Sequence, residues 1–197
     1  MHPRFGAIAK ACVVQDDQLV KTGNSYDRLP NPFALNLYIL GYDSDGKLTQ
    51  LNAAVKENLQ TYLGAYRILT DAVNIKDAYI VNIGIDFEIV PMPKYNANEV
   101  IIRCIAKLKE IFDVRRWQIN EPIVLSRLRV ELDRVEGVQT VNKIEIINKV
   151  DIDLGYSGNI YDIESSTRNG TIYPSLDPCV WEVKYLDSDI RGRCITI

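Results

Sequence analysis

Asp43-Ser44-Asp45-Gly46 comes nearest to a metal-binding pattern, because alternate oxygen ligands followed by glycine open a calcium loop. Such a loop needs another acidic or amide side chain at its fifth position and a glutamate at its twelfth. Lys47 and Ala54 stand there, so the stretch reads as a solvated turn. Carboxylates also pair at Asp16-Asp17 and at Asp151 and Asp153, but no His or Cys stands near either pair. His2 is the single histidine, which removes Ser–His–Asp and Cys–His catalysis from a folded site and most zinc sites with it. Two acids converging in space could serve a carboxylate hydrolase, yet no spacing supports one. The glycines of "GNSYDRLPNP" and "GYSGN" match neither a phosphate-cradling loop nor GxGxxG. No residue is therefore assigned a catalytic, cofactor-binding or metal-ligating role, and no cofactor is expected.

The four cysteines, Cys12, Cys104, Cys179 and Cys194, lie far apart and form no CxxC pair. The opening "MHPRFGAIAKACVV" is a poor signal peptide, with an early proline and Lys10 inside the apolar stretch. The expectation is a soluble protein made inside a cell, with reduced thiols and Cys104 in the core. Asn169-Gly170-Thr171 is a sequon, but its Asn-Gly is better read as a turn. A net charge of -3 and a pI near 5.3 argue against nucleic acid as the main partner. The nearest basic cluster, Arg115-Arg116, fits the solvated end of a helix. No run of 18 apolar residues exists, so no membrane span is predicted.

Apolar residues at 47% and charged residues at 25% are ordinary for a globular chain of 197 residues. Residues 5–14 and 33–42 read as strands, joined by a long polar loop. Leu51, Ala54, Val55, Leu59, Tyr62, Leu63 and Tyr66 follow at helical spacing. The clearest strand is "DAYIVNIGIDFEIVP", where Tyr79, Val81, Ile83, Ile85, Phe87 and Ile89 alternate with Asn82, Gly84, Asp86 and Glu88. One face is expected to be buried and the other half wet, over a span of more than about 40 Å. A second helix begins near Asn98 with Val100, Ile101, Cys104, Ile105, Leu108, Ile111 and Phe112 as its buried stripe. A third is expected after Asn120, with Pro122 in its first turn and Leu125, Leu128, Leu132 and Val135 inward. Gly137 ends it in a left-handed conformation, and "VQTVNKIEIINK" returns as a strand.

From Val150 the character changes. Glycines, prolines and scattered aromatics (Tyr156, Tyr161, Tyr173, Trp181, Tyr185) replace helical patterning, and "VWEVKYL" is a plausible strand. The eleven tyrosines of the chain carry a moderate interface signal, since Tyr packs apolar area behind a polar tip.

Taken in order, "RFGAIAKACVVQDDQL", "NPFALNLYILGYDSDGKL", "NLQTYLGAYRILTDAVNIKDAYIVNIGIDFEI", "RWQINEPIVLSRLRVELDRVEGVQTV" and "NIYDIESSTRNGTIYPSLDPCVWEVKYLDSDIRGR" resemble the baseplate wedge protein of T-even-like contractile-tailed bacteriophages. The "LDRVEGVQTV" corner also resembles the wider baseplate J-like family. The resemblance runs over nearly the whole chain and matches the carboxy-terminal part of longer wedge proteins, either as a fragment or as a shortened member. It implies a structural subunit of the virion tail baseplate, assembled in the host cytoplasm. Such a subunit builds a ring around the hub by self-association and by contact with other wedge proteins, and the ring rearranges when the sheath contracts. It implies no catalytic motif.

The expected fold class is α+β: two small sheet-plus-helix units, partly ferredoxin-like, followed by an extended β-rich C-terminal arm. The boundaries are 1–76, 77–149 and 150–197. The order β-β-α-β-α-α-β places the strand at 77–90 centrally. The expected partners are further copies of the chain, as a dimer or ring, and other wedge and hub proteins, without nucleic acid, membrane or small-molecule substrate. The alternative is an ACT-like small-molecule-binding regulatory module, for which Gly84 on the wet face is the one glycine on offer. An enzyme is not expected.

Overall fold

A computed structural model describes residues 8–15, 34–66 and 72–195. His2, Asp16, Asp17 and the loop expected at 15–32 lie wholly or almost wholly outside those residues. The fold is α+β, with several sheets and the helices between their strands. It divides into two compact units, Met1–Tyr79 with Ser175–Cys179, and Ile80–Pro174 with Val180–Ile197.

In the first unit β2 (Ala34–Tyr42) is the central strand. β1 (Ile8–Gln15) pairs with it antiparallel, as does the short β3 (Leu48–Thr49), while β4 (Ala72–Asp77) runs parallel to it. A parallel neighbour needs a crossover, and α1 (Ala53–Gly64) supplies it, capped by the Asn52 side chain accepting from Val55 N at 2.9 Å. Ile39, Leu51 and Leu59 form the core here, with Val55, Leu63 and Ile75 packed around them. Tyr62 and Tyr66, read at the same helical spacing, face solvent and lean on each other at 5.0 Å. Their hydroxyls need partners, and the stripe is already filled by Leu59 and Leu63.

The second unit is built on β5 (Tyr79–Pro91). β7 (Val138–Asn148) pairs antiparallel along one edge of β5, and β11 (Ile190–Cys194) pairs parallel with residues 85–89, so the two flank it. β10 (Cys179–Glu182) joins the same sheet. The alternation read in the sequence holds from Val81 onward: Val81, Ile83, Ile85, Phe87 and Ile89 are all 2% exposed or less. Helices α2 (Ala97–Ile111) and α3 (Leu125–Asp133) cover this apolar face, α2 packing on β11 and α3 on β7. Val100, Cys104 and Leu108 of α2 and Leu128 and Leu132 of α3 are the residues that reach inward.

Four local features differ from expectation or sharpen it. The α2 cap is Asn96, two residues earlier than Asn98, whose N–H it accepts at 3.0 Å. α3 begins at Leu125, and Pro122 lies outside it, because Ile123-Val124 form a short strand, β6, paired with β9 (Thr171–Ile172). β-Branched residues favour that ladder over a helix start. β8 (Thr167–Arg168) and β9 are joined by Asn169-Gly170, both at positive φ (52° and 72°), the hairpin turn that the dipeptide signals. Gly137 has φ 94°, but it does not end α3, whose C-cap is Arg134; it sits in the turn after it, closed by Val138 N donating to Val135 O at 3.1 Å.

The stretch expected as an arm after the second unit supplies two strands to that unit's sheet, and all of it but Ser175–Cys179, which group with the first unit, belongs there. Val180, Trp181 and Ile190 are 3% exposed or less, and the Trp181 indole N–H donates to the Glu121 carbonyl at 2.7 Å.

Candidate functional site

Among the described residues, the singled-out carboxylates Asp43 and Asp151 each serve their own turn. Asp43 spends its carboxylate on the backbone of its own turn, accepting from Asp45 N and Lys47 N at 2.9 Å each. Asp151 does the same, accepting from Asp153 N at 3.0 Å and Leu154 N at 3.2 Å. Among the described residues no group of three or more His, Cys, Asp or Glu is placed to hold a metal ion. All four cysteines are free thiols, Cys104 and Cys179 fully buried. Arg115 and Arg116 sit exposed just past α2, with Arg116 paired to Glu110 at 3.2 Å.

What stands out is the segment 150–160, which follows β7 and crosses the opposite face of β5 from the helices. Four aliphatic side chains point out of it: Val150, Ile152, Leu154 and Ile160 are 40%, 74%, 63% and 85% exposed. Scattered exposed aliphatics are ordinary, but four within eleven residues are a concentration, here called the crest.

The crest is held rigidly from beneath. Ile152 O accepts from Gly155 N at 2.9 Å and Asp151 O from Tyr156 N at 2.9 Å, closing a compact turn. Gly155 takes φ 83°, which a side chain would resist. Under the turn, Ser157 N donates to the Asn82 side-chain oxygen at 2.6 Å, and the Ser157 hydroxyl and Asn159 amide both donate to Ile80 O, at 2.7 and 2.8 Å. Asn82 is itself buried and passes its amide to Glu182 Oε2 at 2.8 Å. The Tyr156 hydroxyl donates to Asp189 Oδ1 at 2.6 Å, and Tyr185 packs edge-on against Tyr156 while donating to Leu154 O at 3.0 Å. Burial first, and the Asp189 carboxylate second, push the Tyr156 phenol far above its ordinary value, so it stays a donor at any physiological pH. The Lys184 ammonium donates to Gly155 O.

The polar groups of this arrangement bond to one another and to the backbone, and the aliphatic side chains face outward. Fully burying an aliphatic side chain contributes about 1.5–3 kcal/mol, and a surface already ordered spares the entropy of ordering it on contact.

No family model matches the chain, and no curated protein does.

Sequence reasoning had noted Asp151 and Asp153 only as solvated loop acids, and solvated they are. The alternation Val150-Asp151-Ile152-Asp153-Leu154 was the available signal, but it resembles a half-buried strand and hides its exposure. Gly84, the glycine on which a ligand pocket was weighed, is covered: a Cβ there would stand 2.5 Å from Lys149 Cε and 3.3 Å from Asp189 O. The remaining wet face carries a shallow recess of about 220 Å³ edged by Asp86, Glu88, Lys143, Glu145, Arg191 and Arg193. Glu88 stands between Lys143 and Arg193 while Asp86 stands between Glu145 and Arg191, and Glu88 accepts from Arg193 Nε at 2.9 Å and from Asn142 at 2.7 Å. A second groove, of about 280 Å³, lies between the end of α2 and α3.

Proposed function

We propose that this protein is a structural subunit of a contractile-tail baseplate wedge, acting through self-association and through contact with other wedge proteins around a hub. The observation that carries the reading is the crest at 150–160: aliphatic side chains held outward on a scaffold of buried hydrogen bonds. A monomer gains nothing from ordering apolar surface toward water, whereas an assembly subunit needs that surface before its neighbour arrives. The ordered resemblance of the sequence segments to wedge proteins gives the assembly its identity. On this reading the protein resides in the virion tail.

The test is sedimentation of the full chain over a wide concentration range, alone and mixed with baseplate wedge proteins. Self-association, or co-sedimentation with a wedge protein, is the expected result. A strict monomer under both conditions would sink the reading.

A further inference from the structure

β7 is an edge strand, pairing with β5 alone among the described residues. Two hydrogen bonds on β5 fix which groups of β7 look outward. Lys149 N donates to Asn82 O at 2.8 Å, so even-numbered β5 residues bond toward β7, while Ile85 N donates to Asp189 O at 2.7 Å on the β11 side. Gly84, Asp86 and Glu88 stand opposite Ile147, Glu145 and Lys143, which therefore turn their N–H and C=O groups inward. Ile144 and Ile146 turn theirs outward, and no described residue bonds to them there. Earlier in the strand α3 closes the edge, with Asp133 Oδ1 accepting from Val141 N at 3.0 Å and Arg129 donating to Asn142 O at 3.5 Å. The open ladder positions beyond are a template for another strand.

The charges beside the open positions say which strand fits. Lys143 and Glu145 flank Ile144 on the wet face, exposed and bridged to each other at 2.7 Å. Asp86 stands opposite Glu145, a like-charge pair that is unfavourable across a ladder. An antiparallel copy of β7 with Ile144 against Ile144 sets each Lys143 against the other copy's Glu145, beside that Asp86. These are closely spaced pairs, because the main chains of Lys143 and Glu145 bond to β5 and not across the seam. Centring the seam on Lys143, Glu145 or Ile146 instead sets Lys143 against Lys143, Glu145 against Glu145, or Lys143 against Lys149. Centring it later leaves Ile144 beyond the end of the partner's β7, and centring it earlier runs into the stretch that α3 closes.

We propose that the open edge of β7 pairs with the same edge of a second copy, antiparallel about a two-fold axis at Ile144, so that the two sheets run on as one. This rests on the self-association proposed above and names the strand through which it occurs. Each Ile144 donates to and accepts from the other, and two Lys143–Glu145 pairs flank them on the wet face. The contact is isologous and closes at two copies, so growth to a ring is left to other surfaces.

The experiment is sedimentation velocity on the full chain, with single substitutions first shown to melt as the wild type does. Lys143→Glu sets carboxylates against each other at both ends of the seam, and Glu145→Lys sets ammonium groups so; each alone should weaken dimerisation about tenfold or more. Mixed in equal amounts, the two variants should form a one-to-one dimer, because every charged seam position then faces its opposite. Amide exchange gives a readout that needs no substitution. The Ile144 N–H should exchange quickly in dilute protein and slowly in concentrated protein, while those of Lys143 and Glu145, bonded to β5, stay protected in both. Single variants that dimerise as the wild type does, a mixture that stays monomeric, or an Ile144 amide indifferent to concentration would each overturn the edge pairing and leave self-association through another surface standing. A wild type that remains monomeric overturns the pairing as well, and the proposed function then stands or falls on co-sedimentation with wedge proteins.

Discussion

Phe87 and Gly192 face each other across the parallel pair β5–β11, and a Cβ built on Gly192 would stand 2.3 Å from the tip of the Phe87 ring. The ring lies over the glycine, filling the space a side chain would otherwise take. Bare glycine weakens a strand; an aromatic neighbour laid across it restores contact. Gly192→Ala should therefore cost about 1–3 kcal/mol through overpacking, read as a lower urea midpoint. Pairing it with Phe87→Leu should recover part of the loss, and an unchanged midpoint in Gly192→Ala would refute the close approach.

Removal of residues 150–197 should abolish cooperative unfolding of the second unit. The truncation strips β10 and β11 from β5 and uncovers its second edge, along with the places where Trp181, Val180 and Ile190 are buried. Urea titration followed by tryptophan fluorescence and far-ultraviolet circular dichroism reads this out. A truncated chain with a sharp, coincident transition would mean that the strands are dispensable.

How much of this was legible in the sequence depends on whether the signal was local. The alternation from Val81 to Ile89, the stripe of Val100, Cys104 and Leu108, and the turn at Asn169-Gly170 each act within a few residues and were read correctly; the left-handed Gly137 was read as the end of α3 but lies in the turn beyond it. β11 was not read: Arg191 and Arg193 face the wet side and Gly192 faces Phe87, so its apolar alternation reduces to Ile190 and Cys194. Nor does any local feature say that a strand near residue 190 chooses a partner near residue 85. Pairing at that distance is settled by the whole sheet, which is why an arm was expected where two strands flanking β5 lie. The crest was hidden for a related reason. Its exposure follows from Asp151 capping its own turn and from anchors at Asn82 and Ile80, about seventy residues earlier in the chain.

Burial raises the Cys104 and Cys179 thiols to about 11 each, with the neighbouring Cys194 adding to the shift at Cys104. Folded-state values above the ordinary 9.0 mean that this contribution to stability is present below about pH 9 and is lost as pH rises toward 11. At pH 8 a maleimide should label neither residue in the native protein and both after denaturation, as mass spectrometry of the labelled peptides would report. Rapid native labelling of Cys104 would contradict its place in the core.

Glu88 responds to acid. The Arg193 guanidinium, and after it the Asn142 amide, hold its carboxyl below the ordinary carboxylate range. A lowered folded-state value gives stability that is present above that range and disappears as pH falls through it. Glu88→Gln should therefore flatten the acid limb of a urea-midpoint against pH curve below about pH 4.5, leaving the alkaline limb alone. Superimposable acid limbs for the two proteins would remove Glu88 from the account.

The register that sets Arg193 against Glu88 spans 105 positions of sequence. During synthesis β5 and β7 leave the ribosome before residues 190–194 do, so the flank of β5 that those residues pair stays bare in the interval. Through that interval the nascent chain presents an unpaired strand edge, the feature most prone to wrong pairing. The yield of folded protein should therefore depend on how fast the chain between residues 91 and 190 is made and on whether a chaperone shields it meanwhile.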